Sequence, residues 1–565
     1  MKSSRGCWTC RLRHKKCDEK EPMCGACAKL EIQCYDRRKK RPEWMDGGIG
    51  QVEMAEQIKR EIKSKARLRR GEPASISQFE TDFTVTPTKA FRDMAPHQSP
   101  GGVCGQETVS NTTIADPTSH GIEFGPQHEP PAGALSGNAH ATYAFEGSDV
   151  VLSLFYLEKV LPFLFPFYNP SLPQGGKAWI LEMIVKRPAI RQAILCQSYY
   201  FSLACGEIVG DTTWDSLMKR AESAFCILRE SLKVIENLDI AQNLGCTIRV
   251  MASILQLHRF EVTILSFKNW QTHLNAVVGL LEQLLADESG FSGIIDRLGP
   301  PTAFPGHDSH LPNAEQAAFC FSSALIIFDD IIASTTLQIQ PRLYSHHRSL
   351  LGSEAENVEP PVNMEAVSGV QNWLLLQISE IAALDAWKIE SKRAGNLDVL
   401  MLAQRATTIK LSLKRRLAEL ENRAVSVIVS SLDEVEPGSK LLITRIWAHA
   451  TLLYLFVVTS GWQTANDVVR YHVSKIKELI YQIHPRVLLR TVVWPFCIAG
   501  CLAERAQRAE FERLVEGLEP PKVFANLRNS LEIIERTWEH GEGGFSANLD
   551  MAMCFGSLED PALLV

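Results

Sequence analysis

"CWTCRLRHKKC", residues 7–17, and "CGACAKLEIQC", residues 24–34, carry one cysteine spacing twice. Cys7, Cys10 and Cys17 follow C-x2-C-x6-C, and Cys24, Cys27 and Cys34 repeat it 17 residues on. Two cysteines three apart across a tight turn can grip one metal ion, and a structural zinc takes four ligands in a tetrahedron, thiolate favoured. Six thiolates cannot fill two separate tetrahedra, but they can fill two that share two sulfurs. The internal symmetry nominates the equivalent residues Cys7 and Cys24 as the shared pair. One zinc would then hold Cys7, Cys10, Cys17 and Cys24, and the other Cys24, Cys27, Cys34 and Cys7. A single four-cysteine site with two spare thiols is the plainer alternative.

Charge surrounds these thiols. A cluster of two Zn²⁺ ions and six thiolates carries a formal charge of about −2, which nearby cations and backbone N–H groups can offset. Arg11, Arg13, His14, Lys15 and Lys16 exceed that need, and the surplus suits a phosphate backbone. Residues 1–72 hold 20 Lys/Arg against 11 Asp/Glu, a balance of +9 in a chain of net charge −6, so the rest carries −15. A basic head on an acidic body implies that the head meets a polyanion. The sequence opens on charged residues and cysteines rather than an apolar export segment, and it has no uninterrupted apolar run long enough to span a bilayer. A reducing compartment is expected, where thiols bind metal rather than pair as disulfides.

Residues 7–34 resemble the fungal Zn2Cys6 binuclear-cluster transcription factors. The likeness extends to Arg11 after the second cysteine, Asp18 after the third and Pro22 two before the fourth. It implies two Zn²⁺ ions, a nuclear location and double-stranded DNA as partner, with a short helix docked in the major groove over a CGG-type triplet. Carried onto this chain, the base readers are Arg13 and His14, and Lys15 and Lys16 look like phosphate contacts. Arg13 can donate bidentately to guanine. The second position is usually Lys or Arg in the family; neutral imidazole offers only one donor.

Residues 1–45 are read as this DNA-binding domain and 46–72 as a basic helical extension. "RRKKR" at 37–41 and "KREIKSKARLRR" at 59–70 read as nuclear-import or nucleic-acid contacts. A dimerising coiled coil is not supported: Ala55, Ile58 and Ile62 are usably spaced, but the next seam positions fall on Lys65 and Arg69. Monomeric binding and dimerisation through the body both stay open. Residues 73–147 are rich in Gly, Pro, Ser, Thr and His and are expected to form a flexible linker.

From residue 148 the apolar period becomes helical. In "WQTHLNAVVGLLEQLL" Trp270, Leu274, Val277, Val278, Leu281, Leu284 and Leu285 form one face. Similar patterns predict helices near 188–208, 212–236, 241–264, 315–335, 364–392, 396–424, 438–461, 465–482, 486–516 and 521–539. "AVSVIVSSL" at 424–432 fits strand or helix. One large all-α domain over 148–565 follows. It resembles the fungal-specific transcription factor domain of the acriflavine-sensitivity control protein subgroup, through "RPEWMDGG" at 41–48, "FPFY" at 165–168, "WPFCIAGC" at 494–501 and the terminal "ALLV". Cys497 and Cys501 suit core packing better than metal binding. The histidines of "GHDSHLP" at 306–312 suit a solvated loop. No GxSxG, HExxH or phosphate-binding loop occurs, so an enzyme is not expected. The sequence points to a sequence-specific transcription regulator, with transcription co-regulators among the partners its body can meet. A co-regulator whose zinc head merely anchors it to DNA is the second reading.

Overall fold

Two short helices, Trp8–Leu12 and Gly25–Ala28, open on Cys7 and Cys24. The structure, a computed structural model, describes residues 6–13, 15–20, 23–30, 32–35, 42, 54, 58, 147–171, 176–205, 220, 226–227, 243–263, 270–286, 290–300, 302–303, 310–352, 359–430, 435–520, 523–542, 550–556 and 561–565. The chain divides into two compact units, Met1–Thr84 and Val85–Val565. His14, both basic runs and the stretch 73–146 read as a linker lie outside the described residues; Gly147, read as the linker's last residue, instead opens a helix, Gly147–Phe155.

Among the described residues of the first unit the buried apolar side chains are Cys7, Cys10, Leu12, Cys17, Cys24, Cys27, Ile32 and Ile58. Sulfur supplies most of that core. Met54 and Ile58, both helical, pack against it from the extension. Ile58 therefore has an intramolecular use, which removes one of the three positions spaced like a coiled-coil seam.

Among its described residues the second unit is helical, with one antiparallel ladder of two-residue strands, Thr302–Ala303 and His310–Leu311. His310 of the "GHDSHLP" stretch lies in that ladder; His307 and Asp308 lie outside the described residues. The helix Ala314–Leu337 is buried along nearly its whole length. Its start is fixed by a capping box: Asn313 Oδ1 accepts from Gln316 N–H at 2.9 Å, and Gln316 Oε1 accepts from Asn313 N–H at 2.9 Å. Against it pack Ala178–Lys186, Leu244–Thr263, Trp270–Leu285 and Asn372–Arg393. A second apolar helix, Val435–Ser460, packs on Val399–Ser430, Asp467–Tyr481 and Val493–Cys501. Ala314–Leu337 and Gly438–Ser460 are long and apolar enough to cross a membrane, yet 89% and 83% of their apolar windows are buried in the protein. Apolar on all sides, they are the two core helices.

Aromatic side chains join these two. Trp447 stacks on Trp494 at 5.1 Å between ring centres and meets Phe328 at 5.7 Å. Trp494 Nε1–H donates to Thr335 Oγ1 at 2.9 Å, and Trp447 Nε1–H donates to Thr491 O at 2.8 Å, so both polar tips are satisfied. Each tryptophan buries on the order of 200 Å², an upper bound of roughly 5 kcal/mol at about 25 cal/mol per Å².

Expectations about helix extent are refined: the pattern over 364–392 is two helices, Glu365–Ser368 and Asn372–Arg393, parted at Gly369 with φ +77°. The ambiguous 424–432 stretch continues the helix Val399–Ser430 to residue 430. The pattern over 486–516 is three segments and a turn rather than one helix: Arg486–Val492 in 3₁₀ form, then Val493–Cys501, Arg505–Gln507 and Arg508–Val515. Pro495 explains the first break, since proline lacks an N–H and is tolerated only in a helix's first turn. A Glu504–Gln507 capping box starts the chain again after the second. A π-type turn at Tyr156–Val160 has the same origin: Leu161 N–H reaches back five residues to Tyr156 O, just before Pro162.

Gly500 lets Val493–Cys501 and Ala525–Glu542 approach. A Cβ there would stand 2.3 Å from Ile534 Cδ1, and Trp538 Nε1–H donates to Gly500 O at 2.8 Å. Gly500→Ala should cost about 1–3 kcal/mol in chemical denaturation. Adding Ile534→Val, which removes that Cδ1, should recover part of the loss; strictly additive losses would contradict the packing.

Candidate metal centre and nucleic-acid interface

Cys7 and Cys24 do the same local job in the two halves. Cys7 Sγ accepts from Cys10 N–H at 3.3 Å and Cys24 Sγ from Cys27 N–H at 3.4 Å, so each sulfur caps its own short helix. The caps draw sulfur toward the positive helix ends, where thiolate is favoured. The sulfurs converge: Cys7 to Cys24 is 3.7 Å, Cys7 to Cys27 is 3.9 Å and Cys10 to Cys24 is 3.6 Å. Tetrahedral zinc with bonds of about 2.3 Å sets its sulfurs ~3.8 Å apart. Two quartets lie within 4.8 Å internally: Cys7, Cys10, Cys17 and Cys24, and Cys7, Cys24, Cys27 and Cys34. Cys7 and Cys24 belong to both.

Burial sets the thiols' acidity first. It pushes Cys7, Cys10 and Cys27 upward, Cys10 to about 11, and neighbouring thiols add to the effect. At Cys24 burial also opposes ionisation, but the Cys27 N–H and the adjacent thiols outweigh it and bring the value down to about 7. Zinc must therefore displace protons to bind here, and its positive charge is what makes the packed thiolates tolerable.

Three further residues shape the centre. Thr9, fully buried, donates from Oγ1 to Gln33 O at 2.8 Å and accepts there from Tyr35 N–H at 3.0 Å. With Trp8 N–H donating to Tyr35 O at 2.8 Å, it ties the first helix to the chain after Cys34. Asp18 accepts from Gly25 N–H through both oxygens, at 2.9 and 3.1 Å. That contact requires glycine at 25, since a Cβ would lie 2.6 Å from Asp18 Oδ2. Thr9 and Gly25 escaped the sequence reading because they fall between cysteines, where spacing carries no information. Asp18 was visible through the family likeness alone.

The cationic side chains are not equivalent. Arg11, Lys15 and Lys16 are exposed, and Arg11 lies 5.6 Å over the Trp8 ring. Arg13 ends the first helix, is half-buried, and has its Nη1 enclosed without a hydrogen-bond partner among the described residues. In the body, Cys497 and Cys501 are buried, and Cys554, distant in sequence, comes up against Cys501. Among the described residues the metal-binding groups are the two quartets of the head.

The fungal Zn(2)-Cys(6) binuclear cluster domain matches residues 5–43, and the fungal-specific transcription factor domain matches 151–547. The chain belongs to the fungal Zn2Cys6 transcription factors. It is a sequence-specific DNA-binding regulator of transcription whose head binds two zinc ions. It is 33% identical to the transcription factor dibT of Pestalotiopsis microspora, over 100% of this chain and 99% of the relative. It is 26% identical to the pestheic acid cluster transcriptional regulator 3 of Pestalotiopsis fici, over 95% of each. It is 23% identical to the ustiloxin B cluster transcription factor ustR of Aspergillus flavus, over 95% of this chain and 94% of the relative. No solved structure matches the chain.

Two outcomes follow from the geometry. Zinc uptake by the metal-free protein should release protons, and its affinity should fall as pH drops below about 11, the Cys10 value, and more steeply below about 7, where Cys24 is protonated too. Calorimetry in buffers of different ionisation enthalpy checks both; a pH-independent affinity would contradict the account. Thr9→Val should cost about 1–3 kcal/mol, since it strands Gln33 O and Tyr35 N–H. Faster zinc loss to a chelator is the readout.

Proposed function

We propose that Cys7 and Cys24 bridge the two zinc ions, with Cys10 and Cys17 completing one site and Cys27 and Cys34 the other. The observation that carries this is the overlap of the two sulfur quartets at those two residues. We further propose that the zinc head, as domain 1–45, enters the nucleus and reads a CGG-type site. Arg13 reads bases, His14 assists, and Arg11, Lys15 and Lys16 hold phosphates. Arg13 must swing outward to reach a base edge; its Nη1 has no partner to give up, so the swing costs little hydrogen bonding. The exposure of Arg11, Lys15 and Lys16 supports the phosphate role. The second unit, 148–565 in this reading, regulates rather than catalyses, meeting co-regulators or a second copy. Relatives named as regulators of a pestheic acid cluster and an ustiloxin B cluster support a pathway-specific target set.

Cys34→Ala should leave one zinc bound, whereas Cys7→Ala should disturb both; equal zinc counts in the two variants would exclude the bridging assignment. Selection from random duplexes by the zinc-loaded full-length chain should enrich CGG. Arg13→Ala should relax that preference at a cost of about 1–3 kcal/mol. Lys15→Ala and Lys16→Ala should each weaken binding uniformly and reduce the salt slope by about one. Enrichment of no sequence would overturn the base-reading assignment.

A further inference from the structure

The second unit has a partly open cavity where the two core helices meet the segment Arg486–Val492. It has about 70 Å³ open to the centres of water-sized molecules, and roughly 10–15 Å³ on that scale holds one water. Its walls are largely apolar, with Phe165, Leu325, Phe328, Trp447 and Leu564 among them. Two guanidinium groups also line it, Arg259 and Arg490.

The two arginines differ in charge balance. Arg259 Nη2–H donates to Asp329 Oδ1 at 2.6 Å, and Asp329 is fully buried. Arg490 is held by one hydrogen bond, Nη1–H to Phe163 O at 2.7 Å, and stacks 4.2 Å from the Phe163 ring. No carboxylate lies within ion-pair distance of Arg490 among the described residues. Burial first, then the Arg259 charge, lowers its pKa from the usual guanidinium value to about 9. The surroundings thus penalise this charge rather than offset it. The other polar wall groups are mostly engaged, Asn526 Oδ1 being buried without a hydrogen-bond partner among the described residues. Thr491 Oγ1 donates to Leu488 O, Ser368 Oγ to Met364 O, and Asn526 Nδ2 to Val565 O.

Arg490 is half-buried, and a cation partly withdrawn from water without a counter-ion destabilises a fold. Packing does not require it, since an apolar chain of similar length would fill the same wall. We propose that this cavity binds a small, mainly apolar organic acid whose carboxylate pairs with Arg490 and whose apolar part packs on Trp447 and Phe328. The ligand supplies the missing negative charge, and its desolvated pairing with a planar guanidinium gives both affinity and orientation. The site belongs to the body and is independent of the base-reading assignment of the head.

Calorimetry on the zinc-loaded full-length chain tests this, using a graded series of fatty and aryl carboxylates, decanoate and naphthoate among them, each beside its alcohol. At least one acid should bind one-to-one, about tenfold or more tighter than its alcohol. Arg490→Met should abolish that preference while the protein stays folded by circular dichroism, although it also gives up the bond to Phe163 O. Arg505→Met, at an exposed position, should leave it unchanged. Leu325→Phe, which fills the cavity, should remove acid binding with Arg490 still in place. The proposal is overturned if no acid binds, if acids and alcohols bind alike, or if either Arg490→Met or Leu325→Phe retains the acid preference.

Discussion

Six sulfurs crowded together are the constraint on which the head depends. Its two helices have five and four residues, far too short to persist alone in water. Few aliphatic side chains back them: among the described residues Leu12, Ile32 and Ile58 are the buried ones. Burial holds Cys7, Cys10 and Cys27 against ionisation, so the sulfurs can gather as thiolates only around positive charge. Metal binding and folding are therefore one event here. Everything the head presents to DNA follows from it. The cap at Cys7 starts the first helix, Thr9 fastens it to the chain after Cys34, and Arg11, Arg13, Lys15 and Lys16 are placed by its length and by the turn that leads to Cys17.

The body solves stability differently. Two helices apolar on every side supply the core, and the stacked pair Trp447 and Trp494 locks them together. Such a core has little tolerance for charge, yet it contains Asp329, and the half-buried Arg259 and Arg490 line its cavity. The first two neutralise one another. Arg490 does not fit that pattern, and the cavity it lines shares Trp447 and Phe328 with the aromatic junction. A ligand there would touch the same side chains that join the two core helices, so occupancy bears directly on how the body is held.

The cysteine framework was legible because one spacing occurs twice and structural zinc favours four thiolates, which suits six thiols around two ions. The body's helices were legible from their period, and the core role of Cys497 and Cys501 from the apolar run around them. What the sequence hid depends on contacts between distant residues. Gly25 is required by the Asp18 carboxylate and Gly500 by Ile534, neither of which a one-dimensional pattern contains. Arg490 looked like any cation in a helical stretch until its surroundings were known. The break of 486–516 into shorter segments was foreseeable from Pro495, but apolar periodicity across it outweighed the proline.

The shared-sulfur arrangement is tested most directly by ¹¹³Cd magnetic resonance of the cadmium-substituted protein. Two cadmium resonances in the all-thiolate range, coupled to one another through bonds, are predicted, because bridging sulfurs at Cys7 and Cys24 connect the metals covalently. One resonance, or two without mutual coupling, would contradict the account.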